Sequence, residues 1–600
     1  MDKLPSKIFK KLFKNEEIEK HTEAFKEHER GSDDTHGVIT KLVSNMTPIV
    51  DDTSKVQVGA DVFTDLEMFS VYRDIPGATT IFDSINQTHT LGGALWLKDV
   101  LKYPVADPKI LLSRQHHLKQ FEAIYRKSVP QTAQLLATLQ STERDILWFF
   151  TASEEELRYL YDIVYFQSFW LYPLNQSNFA LTAYNIYRII ISPLTGILSP
   201  VIYFIIPYLV LVWKYNISIG FFEYMQFTLQ SLIMGSDILS HLSGGFGMVK
   251  YLSMLTTAIF YFQNIFTSLD LAGLLWRITT KIYSRTNKVF EFLQSAKDLL
   301  GLFSIPSTIT VPCESSKQCF LFDNFGKQLS YFKQTPRSDL LDILKHVYEI
   351  DFKVGIMSLL NKGFCMAKYL SSTSTSTPTP KLSCREIWHP SIVKAVPNDL
   401  SNLTNTIITG PNAGGKSTLL KAILCNIVLA QTLGVTAAKQ FTLSPFKVIS
   451  SQISIPDCKG KESLFQAEMF RCKDKLDLVK SLPQDQFMFI AMDEIFNSTN
   501  PLEGIAGAYA VLKKLSGYPN VITVITTHFL YLTKLKHNGF ECKRMNVEKS
   551  SDSKVFRFPY KLQKGISRQH VALELLAENG FDKDLIETAL SVKASLSTIT

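Results

Sequence analysis

Residues 406–420 read TIITGPNAGGKSTLL, and this stretch decides the fold of the C-terminal part of the chain. The β-branched run at residues 406–409 predicts a buried strand, and the residues after Lys416 have the apolar spacing of a helix. Between strand and helix lies G-x-x-x-x-G-K-[ST], a loop whose backbone N–H groups converge on phosphate oxygens at a helix N-terminus. The stretch therefore predicts an α/β domain that binds a nucleotide.

The phosphate loop supplies most of the predicted binding residues. The Lys416 ammonium would neutralise the β- and γ-phosphates, and the Ser417 hydroxyl would ligate Mg²⁺. The backbone of the loop would hold the remaining phosphate oxygens, so ATP and Mg²⁺ are the predicted cofactors. The predicted loop residues are Gly410, Pro411, Asn412, Ala413, Gly414, Gly415, Lys416, Ser417 and Thr418.

Two further strands end in residues that suit phosphate chemistry. The apolar run FMFIAM at 487–492 is followed by Asp493 and Glu494, and the run VITVITT at 521–527 is followed by His528. Ligands of open α/β sheets bind at the carboxyl ends of the strands. Asp493 is predicted to hold Mg²⁺ through water, Glu494 to orient or deprotonate the attacking water, and His528 to sense the γ-phosphate. Lys416, Glu494 and His528 are the predicted catalytic residues.

Composition limits the class of protein. The chain has 600 residues, 46% hydrophobic and 20% charged, which excludes wholesale disorder and collagen-like structure and makes several domains expected. The net charge of +8 permits a polyanionic partner without proving one. The eight cysteines form no C-x-x-C pair, which argues against a disulfide scaffold or a zinc site and fits a reducing compartment. Residues 1–30 show no signal peptide.

An apolar block lies in the first half of the chain. Residues 189–213 contain 25 residues without a charge, and residues 251–269 contain 19. Either stretch is long enough, as a helix, to cross a bilayer, so the block predicts a transmembrane hairpin that contacts membrane lipid. The protein would then be a membrane protein with about two spans and both termini on the cytosolic or nucleoplasmic side. The alternative is a set of buried helices in a large domain.

The exact residues of the motifs indicate which family of phosphate-loop ATPases the chain resembles. In order and spacing they resemble the MutS family of DNA mismatch-repair ATPases over about 200 residues. Outside these motifs, the entry to the ATPase domain, the helical core and the C-terminal tract resemble the same family. The matching stretches are TGPNAGGKST at 409–418, SLFQAEM at 463–469, MDEIFNSTNPLEG at 492–504 and TTHF at 526–529, with WHP at 388–390, VPND at 396–399, TDLE at 64–67, THTLGGALWL at 88–97 and YKLQKGIS at 560–567.

The resemblance implies a dimer of ABC-type ATPase domains, most simply a homodimer. Ser463 would reach across the interface to the γ-phosphate on the second MutS-like subunit. By the same resemblance, Asn398 would lie near the adenine, Tyr560 would stack on it, and duplex DNA would be a partner. The family usually carries arginine where Ala94 stands. No Phe-x-Glu mismatch-reading domain fits before the core, and no dense stripe of Lys and Arg replaces the usual DNA contacts.

The predicted fold class is α plus α/β: a helical MutS-like core domain with an inserted apolar helical hairpin, followed by a C-terminal ABC-type P-loop ATPase domain. The predicted divisions are a polar tail at 1–60, the first half of the core at 61–187, the apolar insertion at 188–276, the second half of the core at 277–370, a Ser/Thr/Pro connector at 371–380 and the ATPase domain with C-terminal helices at 381–600.

The predicted function is a Mg²⁺-dependent, MutS-family ATPase that couples hydrolysis to a DNA clamp and acts on mismatched or branched DNA, anchored in a membrane. The alternative is a membrane-embedded ABC-type ATPase that has lost DNA binding. A third reading, half of an ABC transporter, draws on LSGGF at 242–246. That tract precedes the phosphate loop, whereas a working signature follows it, so this reading is disfavoured.

Overall fold

The computed structural model describes residues 35–48, 51–71, 78–151, 165–200, 205–225, 228, 248–306, 337–370, 379–453, 463–549, 556–567 and 581–599. The chain forms two compact units. Unit one takes in the described residues of 1–42, 138–298 and 306–343, and unit two those of 43–137, 299–305 and 344–600. Most of the predicted polar tail and connector, and the LSGGF tract, lie outside the described residues.

Helices are found in the residues of both units. The described helices are α1 Thr35–Met46, α2 Val62–Asp65, α3 Ile81–Ile85, α4 Leu91–Lys102, α5 Pro108–Thr151, α6 Asn178–Ile186, α7 Ser192–Pro200, α8 Ile206–Lys214, α9 Met248–Leu302, α10 Arg337–Asn361, α11 Lys416–Thr432, α12 Leu464–Ser481, α13 Pro501–Leu515 and α14 Lys583–Ile599. Short 3₁₀ helices cover Phe169–Gln176 and Leu530–Asn538, and a π-helical turn covers Tyr187–Ile191.

The strands lie in unit two. They are β1 Gln57–Val58, β2 Cys365–Met366, β3 Lys368–Tyr369, β4 Leu382–Ile387, β5 Asn398–Leu400, β6 Thr406–Thr409, β7 Val435–Thr436, β8 Gln440–Leu443, β9 Val448–Gln452, β10 Met488–Asp493, β11 Val521–Thr527, β12 Glu541–Met545, β13 Glu548–Lys549, β14 Phe556–Arg557 and β15 Leu562–Lys564. Seven of them form the main sheet in the order β1-β9-β10-β11-β6-β12-β15, in which only the β12–β15 pair is antiparallel.

The main sheet is buried on both faces, as its nearly continuous apolar strands require. Along β10, Met488, Ile490 and Met492 face a core built with α12 and α13, while Phe489 packs against Phe446 on the other side. Helix α11 is buried along most of its length and packs on β10 and β11. The predicted P-loop α/β domain is therefore present, with the ends of β6, β10 and β11 side by side.

The main sheet also takes a strand from the N-terminal part of the chain. Strand β1 pairs in parallel with β9, with Gln57 opposite Val448 and Val58 opposite Ile449. Residues 35–46 and 57–58 of the predicted polar tail thus form α1 and β1 in the described structure.

The helical elements of unit two pack around a buried carboxylate. Asp351 of α10 is fully buried and accepts hydrogen bonds from the backbone N–H groups of His89 (3.0 Å) and Thr90 (2.8 Å) at the start of α4. A Cβ on Gly92 would come within 2.1 Å of the Tyr348 ring, so α4 can approach α10 this closely only with glycine there. The THTLGG tract therefore allows α4 and α10 to pack closely against each other.

The residues that the structure describes do not form the predicted transmembrane hairpin. In the described part of 189–213, the π-turn continues into α7, which ends at Pro200, and α8 begins at Ile206 with Pro207 in its first turn. Helices α7 and α8 have nine residues each. Residues 251–269 lie within α9, where Gln263 and Asn264 interrupt the apolar run.

Within the described ranges, no helix is both long enough and apolar enough to cross a bilayer. The prediction of an apolar hairpin that contacts lipid through 189–213 and 251–269 is corrected accordingly. The alternative of buried helices fails for α8 as well, because α8 has no buried residue and the Trp213 side chain is 80% exposed.

Candidate nucleotide site

The phosphate loop connects β6 to α11 by a backbone that requires glycine. Gly415 caps α11 with φ +84°, a left-handed conformation, and a Cβ there would also lie 2.9 Å from the Tyr560 ring. A Cβ on Gly414 would come within 2.9 Å of the Pro411 carbonyl oxygen. These glycines leave an open cradle of N–H groups at the N-terminus of a 17-residue helix, which is the arrangement that binds phosphate.

The Lys416 side chain bends back over the loop. Its Nζ donates hydrogen bonds to the carbonyl oxygens of Gly410 (3.0 Å) and Pro411 (3.2 Å), and it lies 3.3 Å from Oε1 of Glu494. The side chain is only 4% exposed. A buried ammonium held by carbonyls and one carboxylate is available to an anion that enters the cradle.

Asp493 and Ser417 form the candidate metal site. The Thr526 hydroxyl donates to Oδ1 of Asp493, and the Ser417 hydroxyl lies beside the same carboxyl. Burial raises the pKa of Asp493, and hydrogen bonds from Ser417 and Thr526 oppose that rise. In the part of the chain that the structure describes, no group of three or more His, Cys, Asp or Glu side chains could hold a metal unaided. The donor set therefore fits Mg²⁺ that takes its other ligands from water and nucleotide phosphates.

Glu494 stands at the centre of the site with a left-handed backbone (φ +47°). Its carboxylate accepts a hydrogen bond from Nδ2 of Asn497 (3.1 Å) and lies 3.6 Å from Nδ1 of His528. The neighbouring His528, and secondarily the Lys416 ammonium, lower the pKa of Glu494 against the effect of burial. An ionised carboxylate held from three sides can orient a water molecule or accept its proton.

A cavity of about 700 Å³ joins these groups to the predicted adenine contacts. Its walls include Trp388, His389, Asn398, Tyr560 and the whole loop 411–419. Asn398 is oriented by the backbone around Tyr560: its Nδ2 donates to the Tyr560 carbonyl (3.0 Å), and its Oδ1 accepts from the Leu562 N–H (2.7 Å). The volume lies in the usual range for a nucleotide-sized ligand, about 300–1,000 Å³.

Ser463 lies apart from this cavity. It caps α12, where its Oγ accepts from the Gln466 N–H (3.2 Å) and its own N–H donates to the Gln466 side chain (3.1 Å). Ser463 is exposed and is not among the cavity-lining residues. Leu464, Met469 and Phe470 beside it are also 38–50% exposed. The structure thus brings together every predicted site residue of the chain except Ser463.

Sequence reasoning missed Asn497 and Thr526, which hold the two carboxylates. Asn497 belongs to the tract MDEIFNSTNPLEG, whose polar residues directly after a strand were a usable signal. Thr526 lies inside β11, opposite Asp493 in the parallel register, so only the pairing of β10 with β11 reveals its role.

His389 in the cavity wall makes the stability of unit two depend on pH. Burial, with the nearby Lys421 ammonium, lowers its pKa from 6.5 to about 4. Between these values the unfolded chain binds the extra proton, so stability is complete above pH 6.5 and falls as the pH drops towards 4. The gap corresponds to about 3 kcal/mol.

We expect the free energy of unfolding, measured with urea, to fall less between pH 7 and pH 4 in His389→Gln than in the parent, because glutamine does not take up a proton. The control is His117→Gln, a substitution of an exposed histidine on α5. Parallel pH curves for the parent and His389→Gln would contradict the assignment.

Part of this chain is similar in sequence to known proteins. Residues 406–597 match the family model MutS domain V. "Endonuclease MutS2" of Streptococcus suis (strain 05ZYH33) is 31% identical over 239 residues, which are 38% of this chain and 30% of that protein. The "DNA mismatch repair protein MutS" of Persephonella marina is 27% identical over 220 residues (35% and 25%), and the "DNA mismatch repair protein MSH3" of Saccharomyces cerevisiae is 30% identical over 216 residues (34% and 20%).

The aligned stretches cover a third or less of the length of these relatives. The comparisons support the resemblance to the MutS family and identify the C-terminal third of this chain as a MutS domain V, the ATPase-type domain.

Proposed function

We propose that this chain, which carries a MutS domain V, binds and hydrolyses ATP with Mg²⁺ and acts as a dimer on DNA, in mismatch repair or a related process. The observation that carries the ATPase assignment is the convergence of Lys416, Asp493, Glu494 and His528 at the ends of three neighbouring strands. Lysine, two differently held carboxylates and a histidine around one phosphate cradle are the groups that phosphoryl transfer to water needs.

Each residue of the site has a distinct part in the proposed reaction. The γ-phosphate of ATP would take the place of the Gly410 and Pro411 carbonyls as the partner of Lys416. Ser417 and Asp493 would hold Mg²⁺, which bridges the phosphates and neutralises charge that develops on them. Glu494 would orient the attacking water and accept its proton, while Asn497 and His528 keep the carboxylate aimed at the cradle.

The position of Ser463 supports a dimer. Ser463 is exposed at the N-terminus of α12, outside the cavity that contains the phosphate loop of its own chain, and the N-terminus of a helix carries a partial positive charge. A second copy that presents Ser463 to the γ-phosphate would complete the site and would cover the exposed Leu464, Met469 and Phe470. Supplying a group in trans would couple closure of the dimer to hydrolysis.

A basic groove in unit one supports the DNA part of the proposal. The groove has a volume of about 540 Å³ and is lined by Asp145 of α5 and by Trp276, Arg277, Thr280, Ser284, Arg285 and Lys288 of α9. Three cations face one carboxylate, which already lies 3.2 Å from Lys288 and 3.9 Å from Arg285. The net positive charge, with hydroxyls and a 44% exposed Trp276 ring, suits a phosphodiester backbone.

We expect the double variant Arg277→Gln with Lys288→Gln to weaken DNA binding and to reduce the slope of log K against log salt by about two, one for each lost phosphate contact. The measurement is fluorescence anisotropy with labelled homoduplex, heteroduplex and single-stranded DNA from 50 to 200 mM salt, beside the ATPase rate with each DNA. Lys119→Gln, an exposed lysine of α5, is the matched control.

The parent protein tests the proposal itself. If it hydrolyses ATP but shows neither salt-dependent DNA binding nor a DNA-dependent rate, an ATPase that does not act on DNA becomes the assignment. If DNA binding is present but the double variant leaves the salt slope unchanged, the groove is not the contact surface.

A further inference from the structure

Residues 57–67, here called the N-terminal strap, lie against the ATPase sheet although they precede the phosphate loop by more than 340 residues. The strap consists of β1, α2 and the turn that ends at Glu67, which has a left-handed backbone (φ +54°). A non-glycine residue in that conformation costs free energy that surrounding contacts must offset. The contacts that the strap makes with the ATPase domain can offset this cost.

Three acidic side chains of the strap reach three different elements of the ATPase domain. Asp61 lies 2.9 Å from Nη2 of Arg471 on α12, and Glu67 lies 3.0 Å from Nζ of Lys421 on α11. Between them, Asp65 accepts hydrogen bonds from the Ser451 hydroxyl (2.7 Å) and the Ile453 N–H (3.0 Å), at the C-terminal end of β9. The strap therefore ties together the P-loop helix, the end of β9 and the helix that Ser463 caps.

The contact with α12 is partly buried. Asp65 is 1% exposed and Lys475 of α12 is 3% exposed. Burial lowers the pKa of Lys475, and the carboxylates of Asp61 and Asp65 oppose that shift. The direct contact is the Asp61–Arg471 ion pair, whose side chains are 37% and 17% exposed, and this pair holds α12 against the strap.

The anchoring points lie close to the two functional ends. Lys421 is five residues after Lys416 on the same helix, about 7.5 Å along its axis, and Arg471 is eight residues after Ser463, about 12 Å. None of the three strap carboxylates lines the nucleotide cavity. They touch neither the phosphate cradle nor the groups predicted to react, so any effect on turnover must pass through the elements that they contact: α11, α12 and the end of β9.

We propose that Asp61, Asp65 and Glu67 are positioning residues: the strap couples the state of the phosphate loop to the placement of α12, and so sets where Ser463 is presented to the partner's nucleotide. This inference rests on the proposed ATPase function and names a regulatory element of that site. The strap is also connected to α3, because the backbone N–H groups of Ile81 and Phe82 donate to the carbonyl oxygens of Glu67 and Met68. The helical part of unit two is therefore linked through the strap to α12.

The test compares Asp61→Asn, Arg471→Gln and the double variant with the full-length parent. The conservative variant is Asp61→Glu. The matched control is Asp477→Asn, which breaks an exposed ion pair with Lys480 on the same helix. Hydrogen exchange of the amides at 464–470 reports the placement of α12, and nucleotide affinity and kcat are measured on the same preparations.

We expect Asp61→Asn to speed exchange at 464–470 by about three- to tenfold. We expect kcat to fall by about tenfold while the Kd for ATP stays within about twofold, because the cradle is intact and only the trans contact is misplaced. The double variant should be no worse than either single variant, since the two residues form one interaction. Asp61→Glu should retain kcat, and Asp477→Asn should change nothing.

The other end of the strap is tested by Glu67→Gln. In the parent, a non-hydrolysable ATP analogue should slow exchange at 464–470, and Glu67→Gln should remove most of that protection without loss of nucleotide binding. Unchanged exchange at 464–470 in Asp61→Asn, or equal protection in Glu67→Gln, would overturn the inference. A parent that neither binds nor hydrolyses ATP would instead refute the proposed function; the nucleotide-free exchange arm would still decide whether the strap holds α12.

Discussion

Lys416→Ala is expected to abolish ATP turnover and to weaken nucleotide binding by about ten- to a hundredfold, the usual cost of losing a charge-assisted contact of about 1.5–3 kcal/mol. The Lys416 ammonium is the cation that lies inside the cradle, and it also pairs with Glu494 at 3.3 Å. Its removal takes charge neutralisation from the γ-phosphate and leaves Glu494 with Asn497 and His528 alone.

The measurements are titration with a fluorescent ATP analogue and steady-state phosphate release. Lys439→Ala is the control, because Lys439 is 60% exposed and lies outside the cavity. Thermal unfolding checks that the Lys416 variant is folded. A folded variant with the parental turnover rate would refute the assignment of the cradle.

Glu494→Gln is expected to separate binding from chemistry. The amide keeps the size of the side chain but cannot accept a proton, so turnover should fall by about 10²- to 10⁴-fold while ATP affinity is retained. If Ser463 completes the site from a second copy, the trapped ATP complex should accumulate as a dimer.

Single-turnover kinetics and analytical ultracentrifugation with and without ATP–Mg²⁺ measure the two effects. Glu503→Gln, an exposed glutamate in the first turn of α13, is the matched control. Parental turnover in Glu494→Gln would remove Glu494 from the reaction. A variant that binds ATP but stays monomeric would remove the trans role of Ser463.

The ATPase domain could be predicted because its signals are local. Strands β6, β10 and β11 are rich in apolar and β-branched residues. The phosphate loop follows β6, Asp493 and Glu494 stand at the end of β10, and His528 follows β11. Parallel strands bring such ends to one edge of a sheet, so Lys416, Asp493, Glu494 and His528 could be placed together from spacing alone.

The parts that could not be predicted depend on contacts distant in sequence. Strand β1 is two residues long, too short for any periodicity, and its partner is Val448–Gln452. The cations of the groove are spread over residues 277–288 of α9, and Asp145 belongs to α5. They line one groove only because α5 and α9 pack together. Apolar composition, in turn, could not show that the described part of 189–213 is shared among the π-turn, α7 and α8, because length and hydropathy do not report where a helix ends.

Because β1 comes from the N-terminal part of the chain, the ATPase domain cannot be separated from it without exposing β9. A fragment that begins at residue 381 would carry the nucleotide cradle but would leave the outer edge of β9 without its neighbour and the backbone N–H groups and carbonyls there open to other chains. Open edges of this kind invite aggregation. Exchange of only the C-terminal segment between two such proteins would therefore pair a foreign β9 with a resident β1, at Gln57 opposite residue 448 and Val58 opposite residue 449.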